Sequence, residues 1–336
     1  MSYIYKILYS ACVAAAKIQL GFYKQKISIL RKDFLNDLVS EVDIKSQQII
    51  IDQLKSLMKK KGLKESQMGF ISEENIFLNP KAKHLFIIDP LDSSSSYLAG
   101  RISFCISIAY LKDEKLQAGI VYQPIKKIIY YAQLGLGAFK IIDKKKTKLK
   151  IIEKSISETN VAYNTSADPK VTTLVLEKIS SIKQVVRKVE KTSSAVLTIS
   201  SVATNANQMA VNGRCFIWDL AAVKLIIEQS GGKITDWEGE EINLDLNNPK
   251  NPYQIIVRNK KDLQLLLIGS ITHSLATYKD GVKERFGGGV MYGSETAANL
   301  GIDTTVLTIG ALDIDLGIEE LKLQNIKVYK ISRRVS

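Results

Sequence analysis

Hydrophobic residues recur at helical spacing in two segments near the start of the chain. The first predicted helix spans residues 1–30, and its apolar face is made of Ile4, Ile7, Leu8, Ala11, Ala15 and Ile18. Ser40-Glu41-Val42-Asp43 has the form of a helix start, and the helix that it predicts ends at Gly62. The chain therefore opens with two amphipathic helices.

Short apolar runs bounded by turn residues predict strands between and after these helices. In the first half they lie near 69–72, 85–88, 102–110, 117–123 and 127–133. After residue 150 we expect strands near 160–164, 183–188, 233–236 and 254–257, and helices over 171–181, 201–212 and 218–229. Mixed strands and helices of this kind predict an α+β fold.

A change in composition at Lys260-Lys261 indicates a further segment. It begins with a buried-type strand over 265–270. Gly287-Gly288-Gly289 then precedes a predicted helix, Met291 to Leu300, and a strand over 304–309. We accordingly expect three parts, residues 1–150, 151–260 and 261–336.

Composition and charge narrow the class of protein. Among 336 residues, 46% are hydrophobic and 24% charged, which is typical of a globular chain. The net charge of +13 lies entirely in residues 1–260, and it favours anionic small molecules. Nucleic acid is the alternative partner, but aromatic residues do not interleave with Lys59-Lys60-Lys61 or Lys144-Lys145-Lys146, so we interpret these runs as solvated surface.

Cysteine spacing and hydropathy indicate the compartment. Cys12, Cys105 and Cys215 form no CxxC pair, which argues against a disulfide framework or a zinc ribbon. No stretch approaches the roughly 20 apolar residues of a membrane span. We expect a cytoplasmic protein with no membrane partner.

The strand over 85–88 runs directly into Asp89-Pro90-Leu91-Asp92, and four serines follow. Buried carboxylates are costly without a compensating cation, and carboxylate oxygens suit Mg²⁺. Pro90 stiffens the turn. The serines offer N–H groups and hydroxyls at a predicted helix start, where a phosphate would be favoured.

Two other acidic positions accompany this turn: Glu73-Glu74 after a strand, and Asp219 at a helix start. Each alone is weak, because Asp-x-x-Asp is frequent by chance and Trp218-Asp219 could be an ordinary helix cap around a buried ring. Their order and structural context are more specific than any single motif.

The three motifs, Gly69-Phe70-Ile71-Ser72-Glu73-Glu74, Asp89-Pro90-Leu91-Asp92 and Trp218-Asp219-Leu220-Ala221-Ala222, together resemble the inositol monophosphatase family over about residues 1–260. That family belongs to the magnesium-dependent, lithium-sensitive phosphatases, which include fructose-1,6-bisphosphatase. The resemblance implies a layered α-β-α-β-α sandwich and a phosphatase that uses Mg²⁺.

Residue roles follow from the same resemblance. Glu73, Asp89 and the Leu91 carbonyl would hold one Mg²⁺, and Asp89, Asp92 and Asp219 a second. Glu73 and the Ser94 hydroxyl would orient the attacking water, and Asp43 would support Ser94. The backbone around Ser93, Ser94 and Ser95 would bind the phosphate.

Two departures from the family pattern concern the site. Ser93-Ser94 stand where the family usually has Gly-Thr, and a positive φ at Ser93 would be strained. Only Cys215-Phe216-Ile217 separate Gly213-Arg214 from Trp218, where the family has a longer loop that reads the substrate's hydroxyls.

Residues 263–336 resemble the opening of a ribokinase-like (PfkB-type) sugar kinase, through Ile268-Gly269-Ser270, Phe286-Gly287-Gly288-Gly289-Val290 and Ala297-Ala298-Asn299-Leu300-Gly301. The later Gly-x-Gly-Asp of such kinases is absent from this sequence, so the resemblance implies a partial α/β unit. A tight turn before a packed helix is an equally good interpretation of the glycines.

The function that these residues predict is hydrolysis of a sugar or polyol phosphate monoester, of the inositol-1-phosphate or fructose-1,6-bisphosphate class, by metal-activated water. A 3'(2'),5'-bisphosphate nucleotidase is the alternative within the same chemistry. A non-catalytic scaffold and a truncated phosphatase–sugar kinase fusion are alternatives of other classes. The expected partner is a small phosphate ester, with a homodimer left open.

Overall fold

The computed structural model describes residues 2–31, 38–259, 264–269, 272–278, 281–287, 303–309, 322 and 327–331. The chain divides into two compact units. One contains Met1–Glu177, Val186–Asp236 and Glu240–Lys260, and the other contains Lys178–Val185, Trp237–Gly239 and Lys261–Ser336. The boundaries expected at residues 150 and 260 stay predictions.

The helices of the described chain begin and end close to their capping signals. Ser2 accepts a hydrogen bond from the Tyr5 N–H at the start of the first helix, and Ser40 and Asp43 form a capping box on the second. The starts of both predicted helices are confirmed, but the first helix ends at Phe22 and not at residue 30. The helices are α1 (Tyr3–Phe22), α2 (Glu41–Lys59), α3 (Ser94–Leu98), α4 (Pro169–Lys183), α5 (Ala195–Ala203) and α6 (Ile217–Gln229).

An eight-stranded sheet forms the centre of the first unit. After a short pair, β1 (Ile29–Arg31) and β2 (Leu38–Ser40), its strands are β3 (Met68–Ser72), β4 (Ile76–Leu78), β5 (His84–Asp92), β6 (Cys105–Lys112), β7 (Lys115–Gln123), β8 (Ile128–Gln133), β9 (Gly137–Ile142) and β10 (Lys145–Lys148). The order is β10-β9-β8-β7-β6-β5-β3-β4, and only the β3–β5 pair is parallel. The run Lys144-Lys145-Lys146, predicted as solvated surface, enters the exposed edge strand β10.

A second sheet of five strands follows along the chain. The strands are β11 (Asn160–Asn164), β12 (Lys188–Thr192), β13 (Met209–Cys215), β14 (Gly232–Thr235) and β15 (Tyr253–Asn259). Their order is β12-β11-β13-β15-β14, with β11 parallel to both neighbours and the other pairs antiparallel.

Two apolar cores join these layers into a mixed α+β sandwich. Helices α1 and α2 cover one face of the eight-stranded sheet, where Leu8, Leu54 and Phe86 are fully buried. The opposite face meets α5, α6 and the five-stranded sheet in a second core. Helix α6 is buried over almost its whole length because it lies between two sheets.

The predicted helix over 201–212 is wrong. Helix α5 begins six residues earlier, where Ser194 accepts a hydrogen bond from the Leu197 N–H. It ends at Ala203, and Asn205 then takes a left-handed conformation with φ 59°. The residues that follow form β13, since they pair with β11 on one side and β15 on the other. The strand expected over 183–188 is likewise displaced, to Lys188–Thr192, because α4 extends to Lys183.

The described residues after 260 form five strands. A parallel sheet contains β16 (Gln264–Gly269), β19 (Asp303–Ile309) and β20 (Lys327–Ile331), and β17 (Thr272–Tyr278) pairs with β18 (Gly281–Gly287) in an antiparallel hairpin. Both strands predicted here are confirmed. The predicted helix Met291 to Leu300 and residues Gly288 and Gly289 lie outside the described residues.

Candidate metal centre

The turn at the end of β5 places two aspartates together. Residues three apart in a regular strand face opposite sides of the sheet. Here the β5–β6 register shifts, because Asp89 pairs with Ser107 and Asp92 with Cys105, so three steps on β5 oppose two on β6. This irregularity carries one extra residue, as a β-bulge does. It brings Asp89 and Asp92 to the same side, and both are buried.

Asp219 reaches the same point from α6. It lies in the first turn of that helix, and its Oδ2 accepts a hydrogen bond of 2.7 Å from the Phe216 N–H. Each of Asp89, Asp92 and Asp219 offers a carboxylate oxygen, and these atoms all lie within 4.8 Å of one another. The chain thus assembles three buried acids from two distant segments.

Glu73 lies beside this trio at the end of the neighbouring strand. Strand β3 runs parallel to β5 with Ser72 opposite Ile88, so Glu73 and Asp89 follow at the same edge of the sheet. Burial raises the pKa of Asp89 well above its ordinary value, and the negative charges of Glu73, Asp92 and Asp219 raise it further. Glu73 is half-buried and is not part of the trio within 4.8 Å.

Asp92 is surrounded by hydrogen-bond donors. Burial raises its pKa to about 6, although hydrogen bonds from Ser194, Cys105 and the backbone of α5 lower it. The Ser194 hydroxyl donates to Asp92 Oδ2, and the Cys105 Sγ lies 3.4 Å from the same oxygen. The cost of burial therefore outweighs the stabilisation that these hydrogen bonds give to the Asp92 carboxylate.

The serine run forms the start of the short helix α3. Ser94 Oγ donates a hydrogen bond of 2.5 Å to Asp43 Oδ1 and lies 3.0 Å from the Leu91 carbonyl oxygen. Asp43 is fully buried and also accepts from Ser40. Burial raises its pKa, while the hydrogen bonds from Ser40 and Ser94 oppose that rise. The structure therefore brings together the predicted pair Ser94 and Asp43, next to the Leu91 carbonyl.

Ser93 is the N-cap residue of α3, and Ser95 lies in its first turn. Ser93 has φ 72° and ψ 54°, which is the left-handed conformation that the sequence analysis identified as strained for a residue with a Cβ. Its Oγ donates to the Ser193 carbonyl over 3.2 Å. Ser95 is exposed, and its N–H lies in the first turn of α3, where a helix supplies no acceptor.

Sequence reasoning missed the contribution of α5. Ser193 and Ser194 precede that helix, and they contact Ser93, Ser96 and Asp92. The available signal was a Ser-Ser pair directly before an apolar run, which is typical of an N-cap. It was overlooked because the helix was predicted to begin at residue 201.

The connection between β13 and α6, just before Asp219, is short and is flanked by the positively charged side chain of Arg214. Strand β13 ends at Cys215 and α6 begins at Ile217, so Phe216 alone connects them. The exposed Arg214 guanidinium lies 5.2 Å from the centre of the Phe216 ring, and that ring stacks on Trp218. Phe216 is the residue whose N–H binds Asp219.

The donor set fits a hard divalent cation. Carboxylate oxygens and a backbone carbonyl are the ligands that Mg²⁺ takes in proteins. The carboxyl groups of Asp89 and Asp92 are buried, and burial is the largest cause of the raised pKa of each. A bound cation would remove their mutual repulsion.

Comparison with known proteins identifies the family. The profile described as "Inositol monophosphatase family" matches residues 1–275. The chain belongs to the inositol monophosphatase family. As a member, it is a phosphoric monoester hydrolase, and the family is metal-dependent.

Individual relatives agree with this assignment. The "Fructose-1,6-bisphosphatase/inositol-1-monophosphatase" of Thermotoga maritima is 27% identical over 216 residues, which are 64% of this chain and 78% of that protein. The "Nus factor SuhB" of Xylella fastidiosa is 24% identical over 241 residues, which are 70% of this chain and 82% of the relative.

Solved structures of the inositol monophosphatase family share the fold. The extragenic suppressor protein suhB from Bartonella henselae superposes with a TM-score of 0.67 at 25% identity, covering 77% of this chain and 95% of that one. The predicted α+β sandwich is thus confirmed. None of these matches supports the sugar-kinase resemblance of residues 263–336. No helix in the described part of the chain is both long and apolar enough to cross a bilayer.

Proposed function

We propose that this chain is a Mg²⁺-dependent phosphatase that hydrolyses a sugar or polyol phosphate monoester. The observation that carries the proposal is the convergence of Asp89, Asp92 and Asp219 within 4.8 Å, in a buried setting that raises the pKa values of Asp89 and Asp92. Glu73, Asp89 and the Leu91 carbonyl would hold one cation, and Asp89, Asp92 and Asp219 a second. Bound Mg²⁺ supplies Lewis-acid stabilisation of phosphate oxygens and favours ionisation of water.

The side chains around Ser94 account for water orientation. Since the Ser94 hydroxyl donates a hydrogen bond to Asp43, its oxygen can accept a hydrogen bond from water. The Glu73 carboxylate can accept the other water proton. Ser94 and Asp43 therefore orient the nucleophile, and Glu73 acts as the base.

The start of α3 supplies the proposed phosphate site. The N–H groups of Ser94 and Ser95 lie in its first turn, and Ser93 precedes them. Donors that are fixed before the reaction stabilise the negative charge that develops on phosphate oxygens. In this proposal Ser93, Ser94 and Ser95 bind the phosphate group of the ester that is hydrolysed beside Glu73.

The substrates to test first carry one or two phosphates. Inositol-1-phosphate and fructose-1,6-bisphosphate represent the leading classes, and a 3',5'-bisphosphate nucleotide represents the enzymatic alternative. The exposed guanidinium of Arg214 lies two residues before Phe216, whose N–H binds Asp219. This positive charge supports including substrates with a second anionic group. A relative with the double name fructose-1,6-bisphosphatase/inositol-1-monophosphatase supports the same choice.

Phosphate release from this panel tests the proposal. We expect release that requires Mg²⁺ and falls by at least about a thousandfold in Asp219→Asn, because one carboxylate ligand becomes a neutral amide. Asp245→Asn changes a half-buried residue of the loop between β14 and β15, and this charge-matched control should retain activity. Absence of Mg²⁺-stimulated release from every substrate would refute the enzymatic proposal.

A binding role without hydrolysis is the second candidate. It is favoured by the left-handed Ser93, a residue with a Cβ at the proposed phosphate site, and by similarity to a relative named Nus factor. It predicts no thermal shift with Mg²⁺ and no effect of Asp92→Asn on ligand affinity. A homodimer and the absence of a nucleic-acid partner stay predictions.

A further inference from the structure

Two buried glutamines hold the backbone of the two turns that carry the acidic residues. Gln19 lies on α1 and Gln47 on α2, the two helices that pack on the face of the sheet opposite α6. Both side chains are almost completely inaccessible, at 0% and 4% exposure. Burial of a glutamine amide costs free energy unless the amide is hydrogen-bonded. The hydrogen-bond partners of each amide therefore indicate its role.

Gln47 binds both backbone groups of Glu74. Its Nε2 donates to the Glu74 carbonyl over 3.2 Å, and its Oε1 accepts from the Glu74 N–H over 3.1 Å. This two-point contact resembles the pairing between adjacent strands, but it comes from a side chain. Glu74 directly follows Glu73, so the contact fixes the backbone from which the Glu73 carboxylate extends.

Gln19 binds the other turn through its amide nitrogen alone. Its Nε2 donates to the Pro90 carbonyl over 2.7 Å and lies 3.3 Å from Ser46 Oγ on α2. Its own backbone carbonyl accepts from the Tyr97 hydroxyl over 2.6 Å. Pro90 lies between Asp89 and Leu91. The hydrogen bond from Gln19 therefore links α1 to the middle of the Asp89–Asp92 turn.

The acidic cluster needs such support because its members repel one another. Asp89 experiences the negative charges of Glu73, Asp92 and Asp219, and this repulsion favours separation of the turns when no cation is bound. The glutamines bind backbone atoms of both turns, and their bonds do not compete with a cation for the carboxylates. Holding the turns in place before binding lowers the cost of assembling the ligands.

We propose that Gln19 and Gln47 are positioning residues that set the two acidic turns for a divalent cation. The inference rests on the proposed metal centre but is separate from the identity of the substrate. Neither residue touches the reacting atoms, so neither is catalytic. Their effect is expected on cation affinity first and on hydrolysis only through it.

Calorimetric titration of the full chain with Mg²⁺ tests the inference directly. Gln47→Met and Gln19→Met keep the length and much of the volume of the side chain but remove its hydrogen bonds. We expect the Mg²⁺ dissociation constant to rise about tenfold in each, since loss of a group that orients metal ligands has effects of this size. If the chain hydrolyses a substrate, high Mg²⁺ should restore kcat.

Gln53→Met is the matched control. Gln53 also lies on α2 and donates to Ser10 Oγ of α1 over 3.0 Å, so the substitution removes a hydrogen bond between the same two helices away from the turns. Urea unfolding of all variants measures how much each substitution destabilises the fold. We expect Gln53→Met to lower stability and leave Mg²⁺ affinity unchanged. Gln47→Asn and Gln19→Asn keep the amide but withdraw it by one methylene, and each replaces the methionine variant at its own position if that variant does not fold.

The outcomes separate the two proposals. Wild-type Mg²⁺ affinity in the variants at Gln19 and Gln47, or an equal loss in Gln53→Met, would overturn the positioning role and leave the metal centre standing. A loss of kcat that saturating Mg²⁺ does not reverse would also count against it. A wild-type chain that binds no Mg²⁺ would overturn the proposed metal centre and this inference together.

Discussion

At the scale of single residues, the site combines favourable chemistry with one strained position. The Ser93 backbone is left-handed, at φ 72°, where a Cβ is disfavoured. Its neighbours Ser94 and Ser96 make hydrogen bonds to Asp43 and Ser193, and these contacts hold the start of α3 in place. The surrounding contacts therefore impose a conformation that serine would not adopt by itself.

Replacing Ser93 by glycine should relieve this strain. We expect Ser93→Gly to raise the free energy of unfolding by up to about 1 kcal/mol, because glycine adopts positive φ without steric cost. The lost hydrogen bond to the Ser193 carbonyl opposes part of this gain. Urea unfolding at neutral pH measures the effect.

Ser95→Gly provides the comparison for Ser93→Gly. Ser95 lies in the first turn of α3 and is exposed, so glycine there should lower stability by about 0.5–1 kcal/mol. Opposite signs at these two serines would attribute the effect to backbone conformation. A destabilising Ser93→Gly would show that the hydrogen bond to Ser193 outweighs the strain.

At the scale of elements, the site depends on how closely α6 approaches the eight-stranded sheet. Gly119 of β7 makes this approach possible, since an added Cβ would lie 2.5 Å from the Ala222 carbonyl oxygen and 2.9 Å from its Cα. Ala222 is three residues beyond Asp219 on the same helix. The position of the Asp219 carboxylate relative to the β5 turn is thus set partly by a glycine on a different strand.

Gly119→Ala should push α6 away from the sheet. We expect it to lower the free energy of unfolding by about 1–3 kcal/mol, since overpacking forces backbone shifts, and to weaken Mg²⁺ binding because Asp219 moves with the helix. Urea unfolding and Mg²⁺ calorimetry measure the two effects.

Gly21→Ala is the control for Gly119→Ala. Gly21 lies in α1, and an added Cβ there would meet no atom within 4 Å. Alanine should stabilise this helical position by up to about 1 kcal/mol. If Gly119→Ala leaves Mg²⁺ affinity intact, the spacing of helix and sheet does not control the metal centre.

At the scale of the whole molecule, the buried acids link stability to pH and metal. The pKa of Asp92 is raised from 3.8 to about 6, and that of Asp89 is raised well above 3.8. Raised values mean that the folded state binds protons more tightly than the unfolded chain does. For Asp92 this stabilisation is complete below about pH 4 and is lost as the pH rises through about 6.

We therefore expect the metal-free protein to lose the stability that Asp92 contributes as the pH rises from about 4 to 7. Asp92→Asn should reduce that loss by on the order of 1–3 kcal/mol, because the amide does not ionise. Mg²⁺ should restore wild-type stability at pH 7.5 and have less effect on the variant. Urea unfolding across pH, in EDTA and in Mg²⁺, provides the measurement.

Asp52→Asn controls for net charge in the pH experiment. Asp52 is an exposed residue of α2 that accepts a hydrogen bond from Gln48, and its replacement makes the same change in charge. Its pH profile should run parallel to that of the wild type in EDTA. Parallel profiles for Asp92→Asn as well would contradict the link between the acidic cluster and stability.

The sequence alone determined the elements whose signals are local. The Ser40 and Asp43 capping box, the amphipathic face of α1 and the apolar strand before Asp89 depend on neighbours within a few residues, and all are found in the structure. The acidic motifs were also evident, because Asp-Pro-Leu-Asp after a buried strand is a chemical signal that needs no partner to be noticed.

Only the tertiary structure decided where those acids meet. The β5–β6 irregularity that aligns Asp89 with Asp92, the contact of Ser194 with Asp92 and the strand character of Met209–Cys215 each depend on residues far away in sequence. Strand pairing overrides local helical preference because a buried backbone must find hydrogen-bond partners. The sequence thus identified the acids, and strand pairing together with the packing of α6 against the sheet brought them within 4.8 Å of one another.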